Sequence, residues 1–303
     1  MTNFSNRACM LCSSMELRFV SELRDDDTCF AMECCSCGHV QISPLPSVEE
    51  EVVFYQQNEM SRRLISKDIL DDEMIMMKHE AWGNDQCRVA LENIVHPDNS
   101  ILEIGSGYGW FVEKMRKRGY FVDGIELSDE KRQMAYNRAG IELSSVNLLE
   151  DVLPSKMQEA YDMVCMFHVL EHILAPQLFI QRILSALKSK GKILVVVPNY
   201  FSELRQISKA YDKFSFFRAH ISYFKPETLA MLMKKAGLVD VQVEGTQLYS
   251  LENAMNWVRT GVPCLEQCQI DMPQGLEWIG ELYKRTLEKK MISDGLIAIG
   301  TKQ

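Results

Sequence analysis

The chain of 303 residues has little of several features that would place it at a membrane or outside the cell. No apolar run approaches the roughly eighteen residues that a membrane-spanning helix needs. The start, Met1 to Ser5, lacks the basic and apolar regions of a signal peptide. We therefore expect a cytoplasmic protein without a membrane partner, whose ten cysteines are thiols or metal ligands rather than disulfides.

Basic residues are also scarce, since 33 Lys and Arg stand against 42 Asp and Glu, for a net charge of −9. Nucleic-acid binding draws on clustered Lys and Arg, so this balance disfavours a nucleic-acid partner. The apolar fraction of 47% is ample for a core. The length suits one large domain with a small one attached.

Glycine is not abundant, yet three glycines stand at alternate positions directly after the apolar run of residues 101–104. Gly105, Gly107 and Gly109 predict a tight turn between a strand and a helix, where a ligand lies against bare backbone. A dinucleotide fingerprint has its third glycine one residue later, where this chain has Trp110. The spacing G-x-G-x-G resembles the first motif of class I S-adenosylmethionine (SAM) methyltransferases, which implies that SAM is the cofactor.

A second predicted strand, residues 120–125, ends at the acid Glu126, about twenty residues after the first glycine. A carboxylate at this place can accept bonds from both ribose hydroxyls, whereas a merely solvated acid would not explain the register. We assign Glu126, its neighbour Leu127 and the strand-ending acid Glu103 to the cofactor pocket.

Residues 144–151 occupy the place of a third strand and its exit loop. In SAM methyltransferases a polar side chain there reads the adenine amino group beside a backbone amide, and the resemblance gives this role to Asn147, with Leu148 next to it. Further strands are predicted at 161–167, 191–199, 239–243 and 295–300. The alternation with helices predicts an α/β fold with a Rossmann-like, doubly wound, seven-stranded sheet.

Two C-x₂-C pairs near the N-terminus predict a structural zinc site with four thiolate ligands. The ligands would be Cys9, Cys12, Cys34 and Cys37, with a hairpin between the two pairs. Unrelated thiols are the alternative. Within the zinc reading, Cys35 could replace Cys34, and Cys29 and His39 are weaker candidates.

The segment His168-Val169-Leu170-Glu171-His172 follows the fourth predicted strand. It has the form of an inverted zinc-protease helix, but it lies at the carboxyl edge of the sheet, where open α/β domains bind ligands. It also resembles a segment frequent in small-molecule methyltransferases, ubiquinone-type O-methyltransferases among them. The resemblance implies that His168 lies beside the cofactor and that Glu171-His172 brace the loop.

His220 begins the segment His-Ile-Ser-Tyr-Phe, which follows an aromatic insertion after the fifth strand. Together with the zinc ribbon, this segment resembles bacterial deoxysugar C-methyltransferases, in which the histidine is a base. We expect His220 to be the catalytic base, since histidine titrates near neutrality, with Tyr223 orienting it or acting as a second acid–base group. A histidine that packs or caps the following helix is the alternative.

These patterns predict a zinc-ribbon domain over 1–43, a linker and helical lid over 44–100, and a methyltransferase domain over 101–303. Helical insertions are expected near 201–218 and 253–290, the second as a cap or a homodimer surface. The leading hypothesis is methyl transfer to oxygen or carbon of a small metabolite, such as a sugar or sugar nucleotide. The alternatives are an RNA or protein methyltransferase that holds its target with the ribbon, and a non-catalytic zinc-ribbon adaptor.

Overall fold

A computed structural model describes residues 8–51, 72–93, 96–263 and 275–303. Parts of the predicted lid, 52–71 and 94–95, and of the second insertion, 264–274, lie outside these ranges. Within them, no helix is both long and apolar enough to cross a membrane.

A six-stranded mixed sheet organises the larger part of the molecule, in the order β5-β4-β6-β7-β10-β9. The strands β4, β5, β6 and β7 are parallel, and β10 pairs antiparallel with both β7 and β9. Their bounds are β4 Ser100–Ile104, β5 Phe121–Ile125, β6 Tyr161–Phe167, β7 Leu187–Pro198, β9 Leu238–Thr246 and β10 Gly295–Lys302.

The core lies on both faces of this sheet, because successive residues of a strand point to opposite sides. In β6, Val164 and Met166 belong to one buried cluster, whereas Met163 and Cys165 belong to the other. Burial on both faces explains why the strand is continuously apolar from residue 163 to 167.

Of the seven predicted strands, the third, at residues 144–151, is reduced to a single parallel bridge between Ile125 and Ser144. The backbone of Glu126 then donates to the Ser144 carbonyl at 2.9 Å, and Asn147 begins a turn. The prediction of the doubly wound class is confirmed, but among the described residues the larger sheet has six strands, and the segment after Ile141 adds only this bridge.

Helices cover both faces of the sheet. Residues 48–51 are helical, α1 Asp72–Asn93 precedes β4, and further helices follow in chain order. They are α2 Trp110–Lys117, α3 Asp129–Ala139, α4 Pro176–Ile183, α5 Glu203–Ile207, α6 Lys209–Ser215, α7 Pro226–Lys235, α8 Leu251–Thr260 and α9 Glu277–Lys289. The aromatic insertion predicted as one helical segment is thus two short helices, α5 and α6, interrupted at Ser208, whose side chain caps α6.

The N-terminal ribbon is a second sheet that extends into the larger part. Its strands are β1 Leu17–Glu22, β2 Phe30–Cys34 and β3 Val40–Ser43, and its fourth strand is β8 Ser222–Tyr223. Val40 pairs with Tyr223, and Gln41 pairs with Ser222. The segment that begins at His220 is therefore held on the edge of the ribbon.

Candidate active site

The glycine turn leaves open space at its centre. Gly105, Gly107 and Gly109 all have positive φ, at 75°, 53° and 73°. A Cβ at Gly105 would lie 2.5 Å from Val169 Cγ2, whereas a Cβ at Gly107 would meet nothing within 4 Å among the described residues. The turn therefore has a hollow above Gly107 that bare backbone can offer to a ligand.

Glu126 lies beside this hollow, at the end of β5. Its Oε2 accepts from the Gly107 amide at 2.8 Å, and its Oε1 accepts from the Ser128 amide at 2.9 Å. A carboxylate has about four lone-pair sites, so two sites remain for hydroxyl donors.

Glu103 lies under the turn, at the end of β4, and is 1% exposed. Burial raises the pKa of this carboxyl to about 8, and its Oε2 has no hydrogen-bond partner among the described residues. It is placed where the sequence predicts a cofactor-side acid, with one oxygen ready to accept a donor from the pocket.

In the loop after the Ser144 bridge, the side chain of Asn147, the predicted adenine contact, forms its hydrogen bond within the loop. The Asn147 side-chain oxygen accepts from the Leu149 amide at 3.1 Å, and the Asn147 amide donates to Asp151 at 2.8 Å. The side chain of Leu148 is buried in the core, whereas Leu127 is exposed. Adenine contacts by Asn147, Leu127 and Leu148 remain a prediction.

These residues fit SAM. The hollow at Gly107 admits the part of the cofactor nearest the turn, and Glu126 has free lone pairs for a ribose. The unpartnered oxygen of Glu103 suits an amino group. The acid at the end of β5 and the glycine turn are brought together by parallel pairing of β4 with β5.

The helix α1 packs beside the turn through an aromatic contact. The ring of His79 lies edge-on to Tyr108, with centroids 4.7 Å apart, and to Trp82 at 4.8 Å. Burial lowers the pKa of His79 to about 4, so the ring is neutral. His79 therefore has a structural role, since its ring packs against the glycine turn through Tyr108.

On the other side of the sheet edge, His168 follows β6 in a left-handed conformation, with φ 55°. A non-glycine residue held in this region is strained, and such strain concentrates at functional sites. Its side chain is 44% exposed, and its Nδ1 lies 3.3 Å from Oε1 of Glu171. Desolvation opposes protonation of His168, but the nearby carboxylate of Glu171 outweighs it and raises the pKa.

The segment Leu170–His172 is one 3₁₀ turn rather than an α-helix, which excludes the zinc-protease helix. His172 braces the loop, as the sequence predicts, because its Nδ1 donates to the carbonyl of Ala219 at 2.7 Å. The backbone of Glu171 accepts from Ile221 at 2.8 Å. The loop after β6 is thereby joined to the segment that carries His220.

His220 stands at this junction, with its ring 5.0 Å from that of His172 and 4.1 Å from that of Phe217. Burial lowers the pKa of His220 well below its ordinary value, and the positive charges of neighbouring groups lower it further. A neutral imidazole with a free lone pair can accept a proton.

Tyr223 is placed differently from its predicted acid–base role. Its hydroxyl accepts from the amide of Phe217 and donates to the carbonyl of the same residue, both at 3.1 Å. Burial raises its pKa, so the hydroxyl keeps its proton. The ring lies 6.0 Å from that of His220, which suits positioning rather than proton transfer.

The ribbon contributes contacts to this side that the sequence did not indicate. The guanidinium of Arg24 lies 3.8 Å from the ring centre of Phe214 and 4.8 Å from that of Phe217. The ammonium of Lys225 donates to Glu33 at 2.6 Å. Pairs between residues about 190 positions apart have no local signal, so only the folded chain reveals them.

The four predicted zinc ligands form one cluster. The Sγ atoms of Cys9 and Cys37 are 3.6 Å apart, those of Cys12 and Cys34 are 3.5 Å apart, and all four lie within 4.8 Å. These separations exceed a disulfide bond of about 2.05 Å. Zinc–sulfur bonds of about 2.3 Å require sulfur atoms roughly 3.8 Å apart, so the cluster could bind zinc. Cys35, the alternative to Cys34, is exposed and outside it.

The glycine turn, the acid at the end of the neighbouring strand and the mixed sheet define a class I SAM-dependent methyltransferase. Comparison with known families agrees, because the model for the methyltransferase domain matches residues 83–243, more than half of the chain. The chain belongs to this methyltransferase family.

Among curated proteins, the chain is similar to the ubiquinone biosynthesis O-methyltransferase of Nitrosomonas europaea. The two are 26% identical over 176 residues, which are 51% of this chain and 72% of the relative. The enzyme of the same name from Coxiella burnetii is 23% identical over 167 residues, 52% of this chain and 71% of the relative.

Among solved structures, a SAM-dependent methyltransferase from Archaeoglobus fulgidus gives a TM-score of 0.52 at 17% identity, over 77% of this chain and 100% of that one. Magnesium protoporphyrin IX methyltransferase from Synechocystis PCC 6803, with bound S-adenosylhomocysteine, gives 0.51 at 12% identity, over 84% and 99%. These likenesses show the fold.

Proposed function

We propose that this enzyme methylates an oxygen or a carbon of a small-molecule acceptor. When bound, SAM supplies a methyl group already activated by a positive sulfur, so the chain must align the acceptor and remove its proton. The observation that carries the proposal is the position of His220, whose segment is hydrogen-bonded through the Ile221 amide to the loop after β6. This residue lies at the carboxyl edge of the sheet, beyond the cofactor turn.

His220 is the proposed base. Its lowered pKa leaves the ring unprotonated at neutral pH, and the aromatic ring of Phe217 fixes its orientation. The proton of the acceptor passes to a ring nitrogen as the methyl group is transferred. The backbone carbonyl of Glu171 and the ring of His172 hold the loop that faces it.

The two resemblances favour different acceptors. The curated relatives are named as ubiquinone biosynthesis O-methyltransferases, which favours a hydroxyl oxygen. The ribbon and the His220 segment resemble deoxysugar C-methyltransferases, which favours a carbon of a sugar nucleotide. We propose the hydroxyl acceptor first, because the curated relatives that match the methyltransferase domain are named as O-methyltransferases.

A screen with labelled SAM against catechols and other phenols, sugar nucleotides, RNA and unrelated proteins tests this proposal. We expect label in the phenol class and none in RNA. If only sugar nucleotides were labelled, the proposed acceptor would be a carbon of a sugar instead of a hydroxyl oxygen. Labelled RNA or protein would replace the proposal by the target-holding alternative, and no label in any class would favour the non-catalytic adaptor.

We propose further that Cys9, Cys12, Cys34 and Cys37 hold one structural zinc ion. Four thiolates leave no position open for water, so the ion would stabilise the ribbon rather than catalyse. Elemental analysis should find one zinc per chain.

We also propose three parts of the chain: the zinc ribbon at 1–43, the linker and helical lid at 44–100, and the methyltransferase domain at 101–303.

A homodimer through the second insertion remains a proposal. Exposed apolar side chains on α8 and α9, including Val258, Trp278 and Leu282, support it. Light scattering should give twice the chain mass, and a charged residue at Leu282 should return it to the monomer.

A further inference from the structure

The carboxylate of Glu171 is buried in an arrangement that the proposed base does not explain. The residue is 1% exposed, and neither oxygen has a hydrogen-bond partner in the part of the chain that the structure describes. A buried carboxylate is costly unless it is paired with a cation or hydrogen-bonded. His168 approaches one oxygen at 3.3 Å and leaves the other oxygen unsatisfied.

The Nε2 atom of His172 is a second hydrogen-bond acceptor near this carboxylate. The carbonyl of Ala219 can only accept, so Nδ1 of His172 carries the ring proton and Nε2 of the neutral ring has a free lone pair. That Nε2 lies 4.0 Å from Oε1 of Glu171. Two acceptors thus face each other, and a proton, a metal ion or a water molecule between them would satisfy both, although one water can donate to two acceptors only.

His220 adds a third ligand atom. One atom from each of Glu171, His172 and His220 lies within 4.8 Å of the other two. One proton cannot bridge three acceptors, whereas a divalent ion can. The hydrogen bond from Nδ1 of His172 to a backbone carbonyl is also the outer contact that metal-binding histidines commonly make, because it fixes the tautomer that presents Nε2.

We propose that Glu171, His172 and His220 form a binding site for a divalent transition-metal ion, separate from the cysteine cluster. Two imidazoles and one carboxylate suit ions such as Zn²⁺, Fe²⁺ and Co²⁺, with bonds of about 2.0–2.2 Å. Ligand atoms of such an ion lie roughly 3.0–3.4 Å apart, so binding draws the three side chains closer together.

The site has a consequence for His220 that rests on the proposed function. A lone pair that binds the ion cannot accept a proton, so the ion and the acceptor proton compete for His220. Occupation of the site then switches off methyl transfer.

Titration of the full chain with Co²⁺, after the cysteine cluster has been loaded with Zn²⁺, tests the site. We expect one further equivalent to bind, with weak visible absorption and without the sulfur-to-cobalt charge-transfer band that thiolates would give. Glu171→Gln and His172→Asn should each weaken binding about 10-fold or more. The exposed residues of the same types provide matched controls, and His96→Asn and Glu227→Gln should bind as the wild type does.

Binding that is absent, or equal in all four variants, overturns the site. Cobalt that only displaces zinc, seen as the charge-transfer band and as zinc in the dialysate, overturns it also. If Glu171→Gln fails to fold, His172→Asn and His220→Asn decide the same question, with SAM binding as the check on folding.

Turnover measured along the same titration separates this proposal from the proposed function. We expect turnover to fall in proportion to the occupied fraction and to return when a chelator removes the cobalt, with zinc still on the cluster. Bound cobalt with unchanged or higher turnover would leave the metal site standing and would remove His220 as the base.

Discussion

The site has a cofactor side, formed by the glycine turn and Glu126, and a proposed acceptor side, formed by the loop after β6 and the segment of His220. The two sides differ in how many of their polar atoms form hydrogen bonds within the chain. On the cofactor side, both oxygens of Glu126 accept backbone amides. On the acceptor side, both oxygens of Glu171 are without hydrogen bonds in the described ranges, and three histidines surround it. On the first side the ligand completes an acid, Glu126, that two amides already fix, although one oxygen of Glu103 is also without a partner in the described ranges. The second keeps acceptors that call for a proton or a cation from outside.

The comparison predicts that a change on the acceptor side affects turnover and leaves the affinity for SAM unchanged. His220→Ala should lose roughly 10²–10⁴ in turnover, since the acceptor proton would have no base. Because the pKa of His220 is lowered, the wild type should show no loss of activity from this group between pH 6 and 9. Steady-state kinetics and calorimetry with SAM measure the two effects. His96→Ala is the control, and normal turnover of His220→Ala across this range would return the residue to a packing role.

The reverse result is expected on the cofactor side. Glu126→Ala should weaken SAM by about 2–4 kcal/mol, because two ribose hydroxyls would lose a charged acceptor. Gly107→Val should prevent binding, since its side chain would fill the hollow and its φ of 53° disfavours a branched residue. Calorimetry measures both, with the exposed Glu142→Ala as the control. Unchanged affinity in both variants would place the pocket elsewhere.

A third change tests whether the ribbon belongs to the acceptor side. The double variant Cys34→Ser, Cys37→Ser should lose the zinc. Turnover should then fall by up to about 10²-fold, because the segment on the ribbon edge would shift by about an ångström. The affinity for SAM should stay within a factor of about two. Elemental analysis and kinetics check this result against Cys35→Ser, which should keep both metal and turnover. Zinc retained by the double variant would refute the ligand assignment.

The last change concerns Glu103, the buried acid under the glycine turn. In the native protein its proton is released only near pH 8, whereas in the unfolded chain it is released near 4.5. The native state therefore binds more protons between these values, and stability falls as the pH rises through them. Glu103→Gln should reduce this slope by up to about 1.4 kcal/mol per pH unit. Urea unfolding at pH 5 to 8, with Glu142→Gln as the control, measures it, and an unaltered slope would contradict the raised pKa.

The sequence predicted the cofactor side better than the acceptor side for a physical reason. The glycine turn and Glu126 depend on two adjacent parallel strands, and each strand has its own apolar run and its own terminal acid. The four cysteine ligands likewise have a local spacing. The prediction of a third strand over residues 144–151 was wrong, because this segment pairs with the sheet only through one bridge at Ser144.

The acceptor side depends on pairings that have no local pattern. The motif around Glu171 was visible, but its approach to His220 follows from a loop joined to a distant segment through Ile221. Tyr223 appeared available as an acid–base group, since the sequence could not show that its hydroxyl is bonded to Phe217. Both arrangements rest on tertiary contacts that spacing cannot reveal.

The pairing of β3 with β8 also joins two strands that are synthesised at different times. The strand β3 leaves the ribosome about 180 positions before its partner, so the ribbon can form while the edge of β3 stays unpaired. An open edge is a template for pairing with another chain until its own partner arrives. A nascent chain released before residue 223 would therefore carry a folded ribbon with an unpaired edge, and would be prone to aggregate.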